Sequence, residues 1–438
     1  MSVRSRRRFI RQVVGGVVVS ASLPISVSAW SGRRDEGSRL LADITDVTHG
    51  LSPYQVADEH FWRLVKRAFS LRPDLILMNA ANLCPSPASV QERVFELTRD
   101  VDRDASFQNR SKFGGLRTAA REALAAFMGA DSGEIAIVRN TSAANATVVN
   151  GMDLGPGDEV LLWAQNHPTN SVAWDVRAER LGFTVKRVST PASPHTAEEL
   201  VRPFLDALTP RTRLLSFSHV SNVSGVALPA AELCRAARDR GVMSMIDGAQ
   251  TFGAMLVDVH ALGCDFYTGS AHKWFVGPKE AGLLYVRAEA IDGLWPTHVG
   301  VGWERARAAG AQKFENLGQR DDAAVAAVGD TVEFHEAIGR ERAHERVKAL
   351  AGALKAQLRD GVAGVHFHTP LDPELSHGVV VFRVAGLDSR QAFGRLYADH
   401  AIGGASMGGD FEGIRLCPHI YNTMAEVERV VQVIASMA

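Results

Sequence analysis

Seven short apolar runs, separated by longer amphipathic stretches, fill the middle of this chain and leave few folds open to it. They are IAIV (135–138), VLLW (160–163), TVKRV (184–188), RLLSFSHV (213–220), MSMID (243–247), FYTG (266–269) and AGLLYV (281–286). Each is short, bounded by turn residues and rich in residues that suit a buried strand. Between most of them lie helical patterns such as 230–240. Strand-helix alternation over this length predicts an α/β fold, a mainly parallel sheet with helices on both faces. Ligands of such sheets sit beyond the carboxyl ends of the strands, so the residues that follow each run are read together.

After IAIV comes Arg139-Asn140-Thr141-Ser142-Ala143-Ala144-Asn145, hydroxyls and small residues at a helix start. Backbone N–H groups and the helix dipole would make that an anion site, and a plain N-cap explains it as well. Asn166-His167-Pro168-Thr169-Asn170 follows VLLW, Ser221-Asn222-Val223-Ser224-Gly225 follows SFSHV, and Asp247-Gly248-Ala249-Gln250 follows MSMI. Ser270-Ala271-His272-Lys273-Trp274 then places a lysine on a short turn of small residues between two apolar runs. A poorly hydrated lysine frees its amine easily and forms Schiff bases, although this stretch alone also reads as a surface turn. A carboxylate, amides, an imidazole, a hydroxyl-rich helix start and a lysine on one sheet edge ask for one explanation. Pyridoxal 5'-phosphate supplies it, because that cofactor needs a lysine for the imine, an anion cradle, a carboxylate for the ring nitrogen and a flat group against the ring.

The runs RNTSAAN, NHPTN, SHVSNVSG, DGAQ, GSAHKW and RLCPHIYNT, in this order, are similar to those of the class V aminotransferase family. This is the fold-type I group that includes isopenicillin N epimerase-like and cysteine desulfurase-like enzymes. The resemblance covers roughly residues 60–435, and the ordered combination is far more specific than any one motif. It implies a large domain with a seven-stranded, mainly parallel sheet and a smaller C-terminal α/β domain. By position it implies Lys273 as the cofactor lysine, Asp247 on the pyridine nitrogen and His167 stacked on the ring. Asn222 and Gln250 would lie near the phenolic oxygen, and Thr141, Ser142, Ser270 and His272 would hold the phosphate. Arg415 matches the arginine that grips the substrate carboxylate, with Asn82 of the loop 79–87 beside the substrate. Gln319 stands in Gly318-Gln319-Arg320, where the family usually carries Gly-Thr reaching the neighbouring subunit's phosphate, so a homodimer is implied.

Desulfurases need a cysteine on a mobile loop before the substrate arginine, and the segment 403–409 (GGASMGG) has none. The resemblance therefore points to chemistry at the amino group or α-carbon of an amino acid, free or within a larger natural product. Exported members of this resemblance include tailoring enzymes for siderophore peptides. Amino-group transfer is favoured and epimerisation is second, because an imidazole lying flat on the ring is badly aimed to protonate the α-carbon. Elimination by a lyase is a further alternative. A binding protein that keeps the fold without turnover is argued against by the intact Lys273, Asp247 and Arg415. A zinc hydrolase using His167, His219 and His272 finds no HExxH or comparable ligand spacing.

The ends of the chain carry other information. Ser5-Arg6-Arg7-Arg8-Phe9-Ile10-Arg11 precedes a mildly apolar run, 13–27, and small residues up to Ala29, which reads as a twin-arginine signal peptide over 1–29. The run is broken by Gly15, Gly16 and Pro24 and falls short of the roughly 20 apolar residues of a membrane span, so no stable anchor is expected. The Tat translocase would be the export partner, with a periplasmic or secreted destination. Removing 1–29 deletes five arginines and no acid and takes the formal charge from −1 to −6, which gives nucleic acid no electrostatic footprint. Cys84, Cys234, Cys264 and Cys417 show no CxxC or CxxH spacing and thus no metal site. Residues 30 to about 50 are expected to be irregular, and a helix ending at Arg72-Pro73 is expected from Phe61, Leu64, Val65, Ala68 and Phe69. The predicted units are 30–78 packing on the body, a cofactor domain 79–315 and a small domain 316–438.

Overall fold

The structure is a computed structural model and describes residues 34–51 and 58–438. The expected signal peptide over 1–29 lies outside the described residues. Among the described residues there are thirteen strands: β1 Ile76–Leu77, β2 Ile135–Val138, β3 Glu159–Trp163, β4 Thr184–Val188, β5 Thr212–Ser218, β6 Met243–Asp247, β7 Phe266–Ser270, β8 Gly282–Val286, β9 Val365–Phe367, β10 Val380–Val384, β11 Ile402–Gly403, β12 Ala405–Met407 and β13 Gly413–Leu416.

Seven of them form the central sheet in the order β2-β8-β7-β6-β5-β3-β4. Neighbours from β7 across to β4 are parallel, and only β8 runs against both of its neighbours. All seven expected runs are strands, several with an end moved by one residue and the fourth with its end moved by two. The fourth stops at Ser218, because beyond it the chain turns to pair with itself: the His219 carbonyl accepts the Leu228 N–H and Val220 bridges Ala227. Successive side chains of a strand point to opposite faces, and here both faces are buried. Ile135, Ile137, Leu161, Trp163, Phe217, Ile246, Tyr267 and Leu283 enter one core. Ala136, Val138, Val160, Leu162, Leu214, Met245, Phe266 and Leu284 enter the other. This is why the runs read as continuous apolar segments instead of alternating ones.

The small domain carries the four-stranded antiparallel sheet β12-β13-β10-β9 under the helices Arg340–Gly361, Ser389–His400 and Met424–Met437. Its own core gathers Leu350, Leu354, Val380, Phe382, Ile414, Leu416, Val427 and Ile434. Met78 belongs to that core, and β1 pairs in parallel with β11, so the segment before the cofactor domain docks on the small one. A third core joins the two domains and contains Phe61, Trp62, Val65, Trp274, Val276, Phe334, Val347, Val381 and Tyr421.

Two expectations need correction. Residues 34–49 are helical, not irregular (Arg34–His49). Leu40 and Ile44 lie one turn apart and are buried, Ile44 completely, which suffices to anchor a polar helix on a tertiary surface that the sequence does not display. The next helix, Glu59–Arg67, ends five residues before the expected stop. It is capped by Asp58, and the chain leaves it so that Phe69 can bridge to Pro87. Among the described residues no helix is long and apolar enough to cross a membrane.

The Ile44 contact gives a test of the first correction. Ile44→Ala should lower unfolding stability by about 2 to 4 kcal/mol in urea titration, the usual cost of deleting a fully buried aliphatic side chain. A loss below about 1 kcal/mol would show that the helix is not part of the cooperative core.

Candidate active site

The site begins where a helix start meets the end of the lysine strand. Asn140 caps the helix Thr141–Gly151, its side-chain oxygen accepting the Ala143 N–H at 3.0 Å. Across from it, β8 begins with Gly282, where an added Cβ would lie 2.7 Å from Asn140 Cα and 2.7 Å from the Gly269 carbonyl oxygen. Without that atom the Asn140 backbone rests against the sheet. Thr141 is then within bonding distance of Ser270 at the end of β7: its N–H donates to Ser270 Oγ at 2.8 Å, and the two hydroxyl oxygens are 2.7 Å apart. Ser142, next on the helix, is exposed. A helix start carries unpaired N–H groups and positive dipole charge, so this corner can hold a phosphate. His272, two residues beyond Ser270, donates from Nδ1 to the Lys279 carbonyl at 3.3 Å. Burial, together with neighbouring Lys273, holds its pKa below the ordinary histidine value.

Lys273 sits in a tight turn in which the Gly277 N–H reaches the Ala271 carbonyl at 2.6 Å and the Val276 N–H reaches the Lys273 carbonyl at 3.0 Å. Val276, fully buried, has φ +51°, a strained setting for a β-branched residue and one met at functional sites. No hydrogen bond from a described residue ties down the Lys273 amine. Burial pulls its pKa below the ordinary lysine value, Asp247 opposes the shift and Arg415 adds to it.

Asp247, at the end of β6, is 2% exposed. Its Oδ1 accepts the Ala249 N–H at 3.1 Å and its Oδ2 accepts Asn145 Nδ2 at 3.0 Å. His167 starts the short turn Pro168–Asn170 after β3. Its Nδ1 accepts the Thr169 N–H at 3.3 Å and lies 3.0 Å from Thr169 Oγ1, which leaves the proton of the neutral ring on Nε2. Burial is the main cause of its lowered pKa, with Lys273 and Arg415 adding to the effect and Asp247 opposing it. His167, Asp247, Lys273 and Arg415 thus share one electrostatic neighbourhood. Asn166 ties the His167 turn to β5, donating to the Ser216 carbonyl and accepting the Ser218 N–H.

Arg415, on β13 of the small domain, is 7% exposed. It donates to the Asn222 carbonyl at 3.0 Å and to Asn79 Oδ1 at 3.3 Å, and its buried Nε has no partner. A guanidinium only partly satisfied is able to take a carboxylate. Asn222 contributes its backbone to the arginine and leaves its half-buried amide free of hydrogen bonds to described residues. Gln250 is held inward: Nε2 donates to the Ala81 carbonyl at 3.1 Å and Oε1 accepts Trp274 Nε1 at 2.8 Å. Gln319 is exposed and accepts from Arg110, so within one chain it joins none of these residues. Asn82 is exposed, and Asn79, three residues earlier, is the amide on the arginine.

Three participants escaped the sequence reading: Asn145, Asn79 and Gly282. Asn145 is the one the sequence could have disclosed, since it lies four residues after Thr141 and so shares its helix face. Asn79 and Gly282 act across long sequence separations, with no local pattern to mark them.

These side chains fit pyridoxal phosphate, with an unbonded amine, a helix start for the phosphate, a buried carboxylate and an arginine with an unpaired donor. A neutral amine is the form that attacks an aldehyde, so a lowered pKa brings capture to lower pH. Borohydride trapping of pyridoxal phosphate on the apoenzyme should label Lys273, with half-maximal trapping below pH 10.5, the ordinary lysine value. Mass spectrometry that found the label on Lys279 would refute the assignment.

The aminotransferase class-V family matches residues 89–430. Isopenicillin N epimerase of Amycolatopsis lactamdurans is 32% identical over 394 residues, which are 86% of this chain and 98% of that protein. A probable cysteine desulfurase of Methanothermobacter thermautotrophicus is 26% identical over 336 residues, 74% of this chain and 82% of its own. Among solved structures, the cystine C-S lyase C-DES bound to its product cysteine persulfide superposes with a TM-score of 0.77 at 24% identity, covering 84% of this chain and 98% of that one. A C-DES variant with glycine covalently linked to its pyridoxal phosphate gives 0.79 at 23% identity, covering 85% and 99%. The chain therefore belongs to the class V aminotransferase family of fold-type I, pyridoxal phosphate-dependent enzymes.

Proposed function

We propose that this chain is an epimerase acting at the α-carbon of an amino acid, either free or part of a larger natural product, whose carboxylate is held by Arg415. The observation that carries this reading is that two proton carriers, the Lys273 amine and the His167 imidazole, share one electrostatic neighbourhood. Lys273 is an unbonded amine with a lowered pKa, and His167 is a neutral imidazole that keeps its proton on Nε2. The cofactor, when bound, supplies an electron sink that makes the substrate α-hydrogen acidic. Thr141, Ser142, Ser270 and His272 would hold its phosphate, Asp247 would pair with its ring nitrogen, and Asn222 and Gln250 would lie near its phenolic oxygen. Lys273 would hold the cofactor at rest and take the α-proton when substrate is present, and His167 would return a proton, which requires its ring to meet the α-carbon edge-on and not to lie flat on the cofactor. Arg415, aligned by Asn79, fixes the carboxylate so that the α-hydrogen faces the lysine.

The sequence by itself favours amino-group transfer. Support for inversion comes from the identity shared with an epimerase over almost its whole length and from the Nε2–H form of His167. Transfer remains the second reading because Thr169 ties Nδ1 of that ring to its own turn, and transfer needs only Lys273. Sulfur transfer is disfavoured. The segment 403–409 has no thiol, and burial raises the pKa of every cysteine, Cys84 and Cys234 to about 12. A single turnover in deuterium oxide on a panel of amino acids and amino-acid-containing peptides separates the readings. Deuterium in an inverted α-carbon supports epimerisation, and stoichiometric pyridoxamine phosphate with a keto acid would replace it by transfer. Asp247→Asn should bind cofactor and slow turnover by roughly a hundredfold or more, since a neutral amide cannot pair with a pyridinium charge.

A homodimer and export belong to the same reading. Exposed Gln319, bonded to Arg110, which in turn lies over the 82%-exposed Phe107, is the surface that would reach the neighbouring subunit's phosphate. The Arg6-Arg7 motif would send the folded, cofactor-loaded protein through the Tat translocase to the periplasm. Changing Arg6 and Arg7 to lysine should leave active enzyme in the cytoplasm, and unchanged periplasmic activity would refute the export route.

A further inference from the structure

Asn145 makes two hydrogen bonds in a fully dry place. Its Nδ2 donates to Asp247 Oδ2 at 3.0 Å, and its Oδ1 accepts the Thr268 hydroxyl at 2.8 Å. Asn145 and Thr268 have no exposed surface, and Asp247 has 2%. The three come from different elements, the helix Thr141–Gly151, β7 and β6, with Thr268 opposite Asp247 in the parallel ladder.

The orientation of the amide follows from the chemistry. A carboxylate only accepts, so the amide nitrogen must face Asp247. The amide oxygen is then left to Thr268, whose hydroxyl supplies the hydrogen. Reversing the amide would set its oxygen against a carboxylate oxygen, and without the Thr268 hydroxyl a buried carbonyl would be left unpaired. Thr268 therefore sets the direction in which Asn145 points.

We infer that Asn145 is a positioning residue for the cofactor's ring nitrogen, acting through Asp247 and aligned by Thr268. The inference rests on the pairing of Asp247 with that nitrogen. A proton between a pyridine nitrogen and a carboxylate has two possible owners. When it moves, the N–H bond breaks and an O–H bond forms, and both charges vanish. Hydrogen-bond donors to the carboxylate stabilise its charged form and so keep the proton on nitrogen. Asp247 has one such donor on each oxygen, the Ala249 N–H on Oδ1 and Asn145 on Oδ2. The first belongs to the backbone and survives any substitution, whereas the second is a side chain. With Asn145 removed, Asp247 becomes the better base and draws the proton from the ring, which weakens the electron sink.

The test loads the enzyme with pyridoxal phosphate carrying nitrogen-15 in its ring and reads the ring-nitrogen chemical shift, which differs widely between pyridinium and neutral pyridine. The wild type should show pyridinium. Asn145→Ala and the isosteric Thr268→Val should both move the signal toward neutral pyridine and lower kcat roughly tenfold or more, with a smaller change in KM, one pK unit of proton affinity being a factor of ten. Thr268→Ser, which keeps the hydroxyl, should hold the pyridinium signal. If Asn145→Ala does not fold, Thr268→Val against Thr268→Ser carries the same comparison. Pyridinium signals in both Asn145→Ala and Thr268→Val would overturn the inference and leave Asn145 a structural strut. Asp247→Asn separates the two levels. If it alone loses the pyridinium signal, only the role of Asn145 fails. If it too keeps the signal, the pairing with Asp247 fails as well.

Discussion

The docking of one helix start against one strand end is the contact on which the site depends. Thr141 and Ser270 share two hydrogen bonds, and they can do so because Gly282 lets the Asn140 backbone lie against the sheet. That contact puts the positive end of a helix dipole beside the turn that carries Lys273, and so joins the anion cradle to the amine. It also sets the helix register. Asn145, one turn further along, is thereby brought to Asp247, so that on the proposed reading one helix would serve both the phosphate end and the pyridine end of the cofactor.

Lys273 is fixed from the other direction by packing. Trp274 and Val276, which follow it, belong to the core between the two domains, together with Phe334, Val347, Val381 and Tyr421. The turn cannot relax outward without opening that core, which is how a β-branched residue is kept at a positive φ next to the amine. The same core carries Cys417 and Ile420, close in sequence to Arg415, so the arginine of the small domain and the lysine of the large one are referenced to a single apolar mass.

The electrostatics of the cleft follow from this burial. Lys273 and His167 are desolvated and their pKa values fall, while Asp247 opposes the fall in both. Arg415 acts on each of them in the same direction as burial. A lysine in this balance releases its proton more readily than a surface lysine, while Asp247 opposes the shift. The buried amides Asn145, Asn166 and Gln250 are each bonded at both ends, so their orientations are determined and they act as struts.

Much of this was legible in the chain because its signals are local. Strands buried on both faces show as apolar runs, helix starts show as Asn-Thr-Ser, and the strand-end residues of a parallel sheet gather at one edge by geometry alone. The class of fold and the gathering of Thr141, His167, Asp247, Ser270 and Lys273 at one edge follow from that, whereas Arg415 and the role expected of each residue came from the resemblance to the class V family. What depends on contacts between distant residues could be decided only by the tertiary structure. Ile44 makes a helix of a polar stretch by burying against other helices. Asn79, and not Asn82, meets Arg415 because the loop 79–87 turns one way over the small domain. Gln250 spends its amide on Ala81 and Trp274, and Gly282 matters for an atom it lacks. The order of residues carries the periodicity of each element, whereas the partner of each buried polar atom is chosen by how the elements pack.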